Sequence, residues 1–404
     1  MNVKRMRALA ELHRDQLLHD TIPFWQKHNP DRKYGGFFNL IDRDGSVLCT
    51  DKQVWQLGRY TWLMSLLHNE VDARREWLAS ARSGAEFLTR HCFDTDGRMF
   101  FEVTREGRPL RKRRYLYSEN FAIIAFAEYA RATGDEAWLR RAEALYRLFI
   151  RYYQNPDLLP PKSYPQTRPA KGHGYAMIGL VTSQIMRKHR PDPLYDTMIE
   201  HFMDEILNHF THPEIEALLE TVAPDGSRLD GPEGRCINPG HAIESAWFIL
   251  NEARRRGDAT LTERACKIID WSLRRGWDRQ YGGILYFVDC EGKACVQYEH
   301  DMKLWWPHQE AMYACLLAYD MTGRRKYSDW YEKVFEWSYA HFPDRKYGEW
   351  FKYLHRDGTV SHTLKGSRWD TAFHLARMQL YSWRLLEGMV RDGERQSREQ
   401  KTEN

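Results

Sequence analysis

Hydrophobic residues recur with a period of about 3.6 along most of the chain, and this spacing predicts amphipathic helices. Short aromatic-rich segments with a different pattern interrupt the helical stretches. Gly134, Gly257 and Gly323 follow the ends of three stretches, where glycine suits the left-handed residue that caps a helix. Twelve helices are predicted, over residues 3–28, 52–70, 73–92, 117–133, 135–153, 172–189, 192–209, 240–256, 259–276, 306–322, 324–341 and 368–388.

The segments between the helices resemble one another. KYGGFFNLIDRDGSV (33–47), QYGGILYFVDCEGKA (280–294) and KYGEWFKYLHRDGTV (346–360) each contain an aromatic-rich run followed by Asp-Gly or Glu-Gly. Weaker copies begin at Gly97 and Glu220. An aromatic run followed by a turn residue that tolerates positive φ is typical of a β-hairpin, so each segment is predicted to be one.

Twelve helices joined in pairs, with hairpins at one end, favour an all-α fold closed into a double ring, the (α/α)6 barrel. An open solenoid of helix pairs is the alternative, and the irregular hairpins favour closure. The length of 404 residues would allow two or three domains. No Pro-, Gly- or Ser-rich linker divides the chain, so residues 1–390 are predicted to form a single catalytic domain. Residues 391–404 are predicted to be a polar, disordered C-terminal tail.

Charge and composition narrow the classes of partner. The formal net charge of +4 is spread without a basic block, so neither nucleic acid nor an anionic membrane is an expected partner. No apolar run reaches the roughly 18 residues that a membrane span needs. The N-terminal sequence is an amphipathic helix rather than a signal core. Seven cysteines without a CxxC pair fit reduced thiols, and a cytoplasmic location is expected.

Polar and aromatic residues collect where several helices begin. If alternate helices form the inner ring, their N-terminal ends surround one funnel together with the hairpins. The relevant segments are DKQVWQLGRYTW (51–62), INPGHAIESAW (237–247), DMKLWWPHQEAMYA (301–314) and KGSRWDTAFHLARM (365–378). The candidate site residues in them are Trp55, Arg59, His241, Glu244, Lys303, Trp306, His308, Glu310, Trp369, His374 and Arg377.

This set of side chains suits proton transfer at a carbon next to a carbonyl group. Two imidazoles on either side of a carbon acid, such as those of His241 and His374, can remove a proton from one face and return one to the other. Arg and Lys side chains, of which Arg59 and Lys303 are candidates, would stabilise the enolate oxygen. Tryptophan faces can hold the apolar face of a sugar ring. The sequence therefore favours 1,1-proton transfer on a carbohydrate.

Three other interpretations use the same residues. A metal site is disfavoured, because the chain has no HExxH motif and no clustered Cys/His spacing, and no metal is expected. Inverting glycoside hydrolysis needs two carboxylates, and it leaves the histidines unexplained. A non-catalytic sugar-binding protein would have no use for two opposed histidines. The residues involved are His241, His308 and His374 with Glu244 or Glu310 for the metal, Glu310 and Asp301 for hydrolysis, and Trp306 and Trp369 for binding alone.

At these segments the sequence resembles the N-acylglucosamine 2-epimerase family. WWPH, NPGH, GGFFNLIDRDG and QLGRYTW occur in the family's order over nearly the whole chain. The resemblance implies an (α/α)6 barrel that interconverts N-acylglucosamine and N-acylmannosamine. It places the two general acid/base groups at His241 and His374. It also implies functional roles for Arg59, Glu244 and Glu310.

The mechanism implied by the resemblance is ring opening, deprotonation at C2, a cis-enediolate, rotation about C2–C3 and reprotonation on the other face. No cofactor is implied for the chemistry. ATP is implied as an allosteric activator, as for some members, although the sequence contains no Walker-type loop. Many such barrels form homodimers, and the sequence shows no interface.

Related members act on other sugars, so the resemblance allows either an N-acyl sugar or an unmodified aldose as the substrate. Cellobiose 2-epimerases, mannose 2-epimerases and aldose–ketose isomerases tend to carry a different residue at the position of His308, so WWPH and NPGH favour an N-acyl sugar. TRPAKGHGYAMIGL (167–180) departs from the family's pattern. His173 and Tyr175 in it are expected to add bulk near the sugar.

Overall fold

The computed structural model describes residues 1–113, 115–161 and 164–402, and its helices lie where the periodicity predicts them. Residues 3–28 form one rod, in which a π-helical turn, Leu17–Thr21, joins two α-helices. A second π-helical turn, Glu205–Phe210, extends another helix. The α-helices are α1 (Val3–Gln16), α2 (Ile22–His28), α3 (Val54–Glu70), α4 (Arg75–His91), α5 (Tyr117–Thr133), α6 (Glu136–Gln154), α7 (His173–His189), α8 (Pro193–Asp204), α9 (Pro239–Arg256), α10 (Ala259–Gly276), α11 (Trp305–Thr322), α12 (Arg325–His341) and α13 (Phe373–Thr402).

The last helix is longer than predicted. The periodicity predicts an end at residue 388, whereas α13 continues to Thr402. Most of the segment 391–404, expected to be a disordered tail, is therefore helical, and residues 403 and 404 lie outside the described residues. The polar residues of this segment include several Arg, Glu and Gln, which are good helix formers even where no apolar face marks a helix.

The helices close into two concentric rings. The inner ring consists of α3, α5, α7, α9, α11 and α13, each in contact with the next, and α13 contacts α3. Each inner helix pairs with an outer one: α3 with α4, α5 with α6, α7 with α8, α9 with α10, α11 with α12, and α13 with α1. The predicted (α/α)6 barrel is confirmed. Contact between the first and last inner helices excludes the open solenoid.

Burial distinguishes the two rings. The inner helix α11 buries every residue from Trp305 to Ala318, so it is enclosed on all sides. The outer helix α6 buries only one stripe, at 139, 142, 145, 146, 149 and 150, and exposes charged residues on its other face. A helix enclosed on all sides lies inside, and an amphipathic one covers it. None of the described helices combines the length and the apolar character needed to cross a membrane.

The aromatic segments form turns as predicted, but most of their strands pair differently. Among the described residues, β1 with β2, β4 with β5, and β7 with β8 pair within one segment between helices in the way a hairpin does, and a single bridge joins Leu354 to Val360. The strand that precedes an inner helix otherwise pairs with the segment before the next inner helix, as β3–β4, β6–β9, β10–β11 and β12–β13. A bridge between Ile41 and Gly366 joins the last unit to the first. The strands are β1 (Leu40–Ile41), β2 (Val47–Cys49), β3 (Lys52–Gln53), β4 (Glu102–Val103), β5 (Pro109–Arg111), β6 (Lys171–Gly172), β7 (Thr211–His212), β8 (Ala217–Leu218), β9 (Thr221–Val222), β10 (Cys236–Ile237), β11 (Val288–Asp289), β12 (Lys303–Leu304) and β13 (Tyr353–Leu354).

In the described part of the chain, a buried lysine–aspartate pair recurs three times near these strands. Lys303 donates to Asp278 at 2.9 Å and to the Gly282 carbonyl, and both ionic side chains are essentially inaccessible to solvent. Each aspartate also binds an arginine from a neighbouring segment. The other two pairs are Lys52 with Asp31 and Lys365 with Asp344. We call these three pairs the Lys–Asp latches, because each one ties a turn to the strand or loop that precedes an inner helix.

Candidate active site

The inner ring encloses a cavity of about 1140 Å³ along the barrel axis. The N-terminal turns of the inner helices and the loops before them form one end of it. Eight of the predicted site residues line this single cavity, so the structure brings together side chains that lie far apart in sequence: Trp55, Arg59, His241, Glu244, Trp306, Trp369, His374 and Arg377.

The NPGH segment places His241 in the first turn of α9. Asn238 caps the helix by accepting a hydrogen bond from the His241 backbone N–H at 3.0 Å. Pro239 occupies the first helical position, where no N–H is needed. A Cβ on Gly240 would lie 2.6 Å from the Trp306 ring, so only glycine permits this close approach. The result is an imidazole ring 5.1 Å from the Trp306 ring.

His374 also lies next to Trp306, at 5.6 Å between ring centroids. Its Nδ1 lies 2.7 Å from Oε1 of Glu310. A carboxylate only accepts, so Nδ1 carries the proton and Nε2 has its lone pair free. The Arg377 guanidinium donates to Glu310 at 2.7 Å and to Glu244 at 2.5 Å. Glu310 therefore orients both an imidazole and a guanidinium within the same site.

His241 has a similar arrangement with a different carboxylate. Its Nδ1 lies 3.2 Å and 3.1 Å from the two carboxylate oxygens of Glu220, so Nδ1–H is the donor. Within the described part of the chain, Nε2 of His241 has no hydrogen-bond partner. Each histidine thus has Nδ1 anchored to a glutamate and Nε2 available to a substrate, the arrangement that fixes tautomer and ring orientation in acid–base catalysts.

The two imidazoles are biased toward opposite protonation states. Burial, reinforced by the positive charges of Arg377 and Arg59, lowers the pKa of His374 well below its ordinary value. Burial also disfavours the charged form of His241, but the Glu220 carboxylate outweighs this effect and raises the pKa of His241. Near neutral pH, His374 is therefore poised as a base and His241 as an acid, and such a divergence is how environments assign the two roles.

Arg59 and the tryptophans form the remaining wall near the mouth. The Arg59 guanidinium lies over the Phe121 ring at 4.2 Å and donates to the Trp369 carbonyl at 3.3 Å. Burial lowers the pKa of Arg59 to about 10, which leaves it charged at neutral pH. Trp369 is 47% exposed and its ring lies 6.0 Å from that of Trp55. These flat faces are accessible to the apolar face of a sugar.

Lys303 and His308 lie outside the cavity, contrary to the prediction. Lys303 belongs to one of the Lys–Asp latches and is fully buried against Asp278, so it is not available to an enolate oxygen. His308 donates from Nδ1 to the Leu304 carbonyl at 2.6 Å, and its Nε2 accepts from the Ile284 N–H at 2.8 Å. Burial lowers the pKa of His308 to about 3. The bond from the Ile284 N–H joins α11 to the segment 280–294.

His173 and Tyr175 do not line the cavity either, so neither adds bulk directly against a sugar. His173 is wholly buried and hydrogen-bonds through Nε2 to the Ser245 hydroxyl at 2.9 Å. Tyr175 stacks on Tyr117, with 5.8 Å between the ring centroids, and it is Tyr117 that faces the cavity. Both residues lie at the start of α7, directly behind the side chains that line the site.

Several residues at the site were missed by the sequence analysis. Tyr286 and Tyr353 line the cavity, and the Tyr353 hydroxyl donates to Asp370 at 2.9 Å. Both tyrosines belong to aromatic segments that were already recognised, so their position after the Tyr-Gly turn was the available signal. Glu220 begins the weakest copy of that segment, where the resemblance was too faint to single out one residue.

The structure also bears on the hydrolase and metal alternatives. Asp301 lines a separate surface groove, so it does not pair with Glu310 across the cavity. Among the described residues, Glu244, Glu310 and His374 bring potential ligand atoms within 4.8 Å of one another. The Arg377 guanidinium bonds both of these carboxylates, so it already supplies the positive charge that the cluster would attract.

Fold and site together define a helical double-ring enzyme built for acid–base chemistry on a small polar substrate. The family model described as N-acylglucosamine 2-epimerase (GlcNAc 2-epimerase) matches residues 35–377, and the chain belongs to this family. The N-acylglucosamine 2-epimerases of Bos taurus and Mus musculus are 35% and 34% identical to it. These two comparisons cover 92% and 90% of the chain, and 89% and 88% of the relatives.

More distant proteins share the fold. The structure of cellobiose 2-epimerase from Bacillus thermoamylovorans matches with a TM-score of 0.83 at 21% identity, covering 94% of this chain and 99% of that one. At this identity the match shows the fold alone. It agrees with the closed ring of helices described above.

Proposed function

We propose that the protein is a carbohydrate 2-epimerase that interconverts N-acylglucosamine and N-acylmannosamine. The observation that carries the proposal is the pair of histidines, His241 and His374, which line one cavity with opposite shifts in pKa. Mammalian relatives of that name, 32–35% identical over 90–92% of the chain, support the N-acyl substrate.

In the proposed reaction the open-chain sugar lies with C2 between the two imidazoles. Nε2 of His374 accepts the C2 proton of one epimer, and the electrons of the C–H bond move into the carbonyl group to give an enediolate-type intermediate. After rotation about C2–C3, Nε2–H of His241 delivers a proton to the opposite face of C2. The two histidines finish with their charges exchanged, and solvent exchange or a reverse turnover restores them.

The arginines supply the electrostatic part of the mechanism. Negative charge develops on O1 as the C2 proton leaves, and a fixed cation in a buried site stabilises such charge more than water does. Arg59 is suited to this role, because its guanidinium lines the cavity and stays charged at neutral pH. Arg377 is held by Glu244 and Glu310, so it orients His374 and sets the local field.

The alternative substrate is an unmodified aldose. A cellobiose 2-epimerase from Eubacterium cellulosolvens is 25% identical to this chain over 90% of its length. The two-histidine geometry would serve C2 of mannose, glucose or cellobiose equally well, and proton return to C1 instead of C2 would give a ketose. Higher identity to the N-acyl enzymes makes the N-acyl sugar the favoured substrate.

The test is proton NMR of the purified enzyme in D2O with N-acetylglucosamine, N-acetylmannosamine, mannose, glucose and cellobiose supplied separately. Deuterium at C2 of an N-acetyl sugar, together with its epimer, is the expected result. Exchange confined to a free aldose would move the protein to the other substrate group, and ketose signals would make it an isomerase. Absence of exchange with every sugar would contradict the proposed function.

The chemistry is proposed to need no cofactor, because two imidazoles and a guanidinium supply the base, the acid and the charge stabilisation. ATP as an allosteric activator and a homodimeric state stay predictions. The same NMR assay with and without ATP tests the first, and sedimentation equilibrium tests the second. A cytoplasmic location is also proposed, and the seven unpaired cysteines, five of them buried, support it.

A further inference from the structure

Glu220 lies between two imidazoles, only one of which faces the cavity. Its carboxylate oxygens are 3.1 and 3.2 Å from Nδ1 of His241. On the other side, Nδ1 of His173 lies 3.7 Å from Oε1 of Glu220. The backbone fixes this approach, because the His173 N–H donates to the Glu220 carbonyl at 3.0 Å beside the β6–β9 pairing. The cluster therefore links α7, the β9 segment and α9.

The hydrogen bonds of His173 determine which atom faces the carboxylate. Its Nε2 bonds the hydroxyl of Ser245, which lies one turn beyond His241 on α9. Its Nδ1 is buried and has no partner within hydrogen-bonding distance among the residues that the structure describes. A lone pair on Nδ1 would face the carboxylate unfavourably, whereas a proton there is attracted to it. His173 therefore presents an N–H to Glu220 while Ser245 holds the ring from behind.

We propose that Glu220 is a positioning residue for the epimerase reaction, which holds His241 as the proton donor, and that His173, backed by Ser245, clamps this carboxylate in place. The inference rests on the proposed function. It adds a carboxylate to the histidines and arginines that the proposed mechanism already uses. Glu220 acts through His241 and does not line the cavity. The clamp keeps the carboxylate from turning away from His241 when that ring changes charge during turnover.

Few other charged groups face this cluster. Glu244, on α9, is the second carboxylate whose field raises the pKa of His241. Burial raises the pKa values of Tyr117 on α5, Tyr286 in the segment after α10, and Cys236 in β10, so these groups stay neutral near pH 7. His241 therefore titrates mainly against two carboxylates, and Glu220 is the one that contacts its ring.

The first experiment follows the His241 imidazole by NMR titration of the sugar-free protein, with the resonance assigned through His241→Asn. Glu220→Gln should lower the pKa of His241 by about one pH unit or more, because an amide keeps the shape and removes the charge. The alkaline limb of the kcat/KM profile should move down by the same amount, with kcat reduced on the order of 10- to 100-fold. The acidic limb should stay in place.

Glu216→Gln is the matched control. Glu216 is exposed, precedes β8 on the same segment and pairs with Arg274, so its removal should change neither the titration nor the profile. If Glu220→Gln fails to fold by circular dichroism, Glu220→Asp retracts the carboxylate by one methylene and should shift the titration part of the way. An unchanged His241 titration in the folded Glu220 variant would overturn the inference.

The clamp has its own pair of variants. His173→Leu removes the N–H that faces Glu220 and should reduce kcat more than it changes KM. His173→Asn keeps a donor near the position of Nδ1 and should restore much of the loss. Equal activity of the two variants would assign His173 a packing role alone.

The His241 titration needs no sugar, so it decides the role of Glu220 even if the wild-type enzyme shows no exchange with N-acyl sugars.

Discussion

Four histidines near the N-terminal ends of the inner helices differ in role because their neighbours differ. His241 and His374 each have Nδ1 anchored to a glutamate and Nε2 open to the cavity. His308 uses both ring nitrogens in buried hydrogen bonds to the backbone. His173 is buried behind the site. Exposure of one nitrogen to the cavity, together with a carboxylate on the other, is what separates an acid–base group from a structural one.

Each catalytic histidine should be needed for epimerisation. For exchange of the C2 proton, each should be needed with only one of the two epimers. Each epimer presents its C2 proton to only one of the two rings. His374→Asn and His241→Asn should therefore each lower epimerisation about 10²- to 10⁴-fold. Each should keep C2 deuterium exchange with the one epimer whose proton faces the remaining histidine, and the two variants should retain opposite epimers. Proton NMR in D2O measures both quantities.

Full epimerisation by either histidine variant would contradict the two-base mechanism. Retention of exchange with the same epimer by both variants would contradict the assignment of the two rings to opposite faces. Circular dichroism of each variant checks that the helical fold persists, since neither substitution removes a large apolar side chain.

The pH profile of kcat/KM should be bell-shaped. The active pair needs His374 neutral and His241 protonated. The pKa of His374 is lowered and that of His241 is raised, so activity should rise through a pKa below about 6.5 and fall through one above it. The reverse reaction also needs one proton shared by the two histidines. The kcat/KM profiles of the two directions should therefore have the same pH dependence. A profile that narrows to a sharp maximum at one pH would show that the two pKa values do not diverge.

At the scale of elements, short strands and buried ion pairs fix the positions of the N-terminal ends of the inner helices. Strands of two or three residues satisfy few backbone groups alone, so pairing between neighbouring units provides the remaining hydrogen bonds. The three Lys–Asp latches add a charged tie at three places around the ring. Because both partners are buried, loss of one leaves the other without its buried countercharge.

Replacement of Lys303 should affect stability and leave sugar binding nearly intact. Lys303→Met leaves Asp278 buried with Arg356 as its remaining cation, and breaking such a buried pair costs about 3 kcal/mol in the free energy of unfolding. Urea denaturation followed by circular dichroism measures this loss. Lys293→Met, at an exposed position of the same segment, is the control and should change stability little. A raised KM with unchanged stability would restore Lys303 as a substrate-binding residue.

At the scale of the molecule, the two ends of the chain complete the barrel. Helix α1 covers the outer side of α13, and α13 contacts α3 and α11 in the inner ring. Leu9 and His13 of α1 are fully buried, and His13 bonds the Tyr331 hydroxyl on α12. The helix that carries His374 is therefore supported by residues from the opposite end of the sequence.

Removal of α1 should abolish activity even though α1 contributes no residue to the cavity. Deletion of residues 1–16 exposes the apolar outer face of α13, and the cooperative thermal transition and the epimerase activity should be lost together. Deletion of 394–404 removes the exposed pair between Arg7 and Glu394, worth about 1 kcal/mol or less, and should leave both nearly unchanged. Thermal melts and the NMR assay compare the two deletions, and full activity without residues 1–16 would contradict this role.

The local pattern of the sequence determined the helices, the turns and the residue types at the helix mouths. Periodicity reports how one element is buried, and caps such as Asn238 act over a few residues, so both can be seen without a fold. The match of NPGH and WWPH to a known family pointed further, to His241 and His374. Lys303 and His308 were also candidate site residues, because sequence shows the residue type and its place in an element but not its distant partner.

Those partners were decided only by the tertiary structure. Glu220 and His241 are 21 residues apart and Glu310 and His374 are 64 residues apart, and the packing of neighbouring units brings their side chains into contact. The same packing places Lys303 against Asp278 and His308 against Ile284, away from the cavity. Protonation state depends on burial and on charges within a few ångströms, so the opposite bias of the two histidines follows from this three-dimensional arrangement and not from either motif alone.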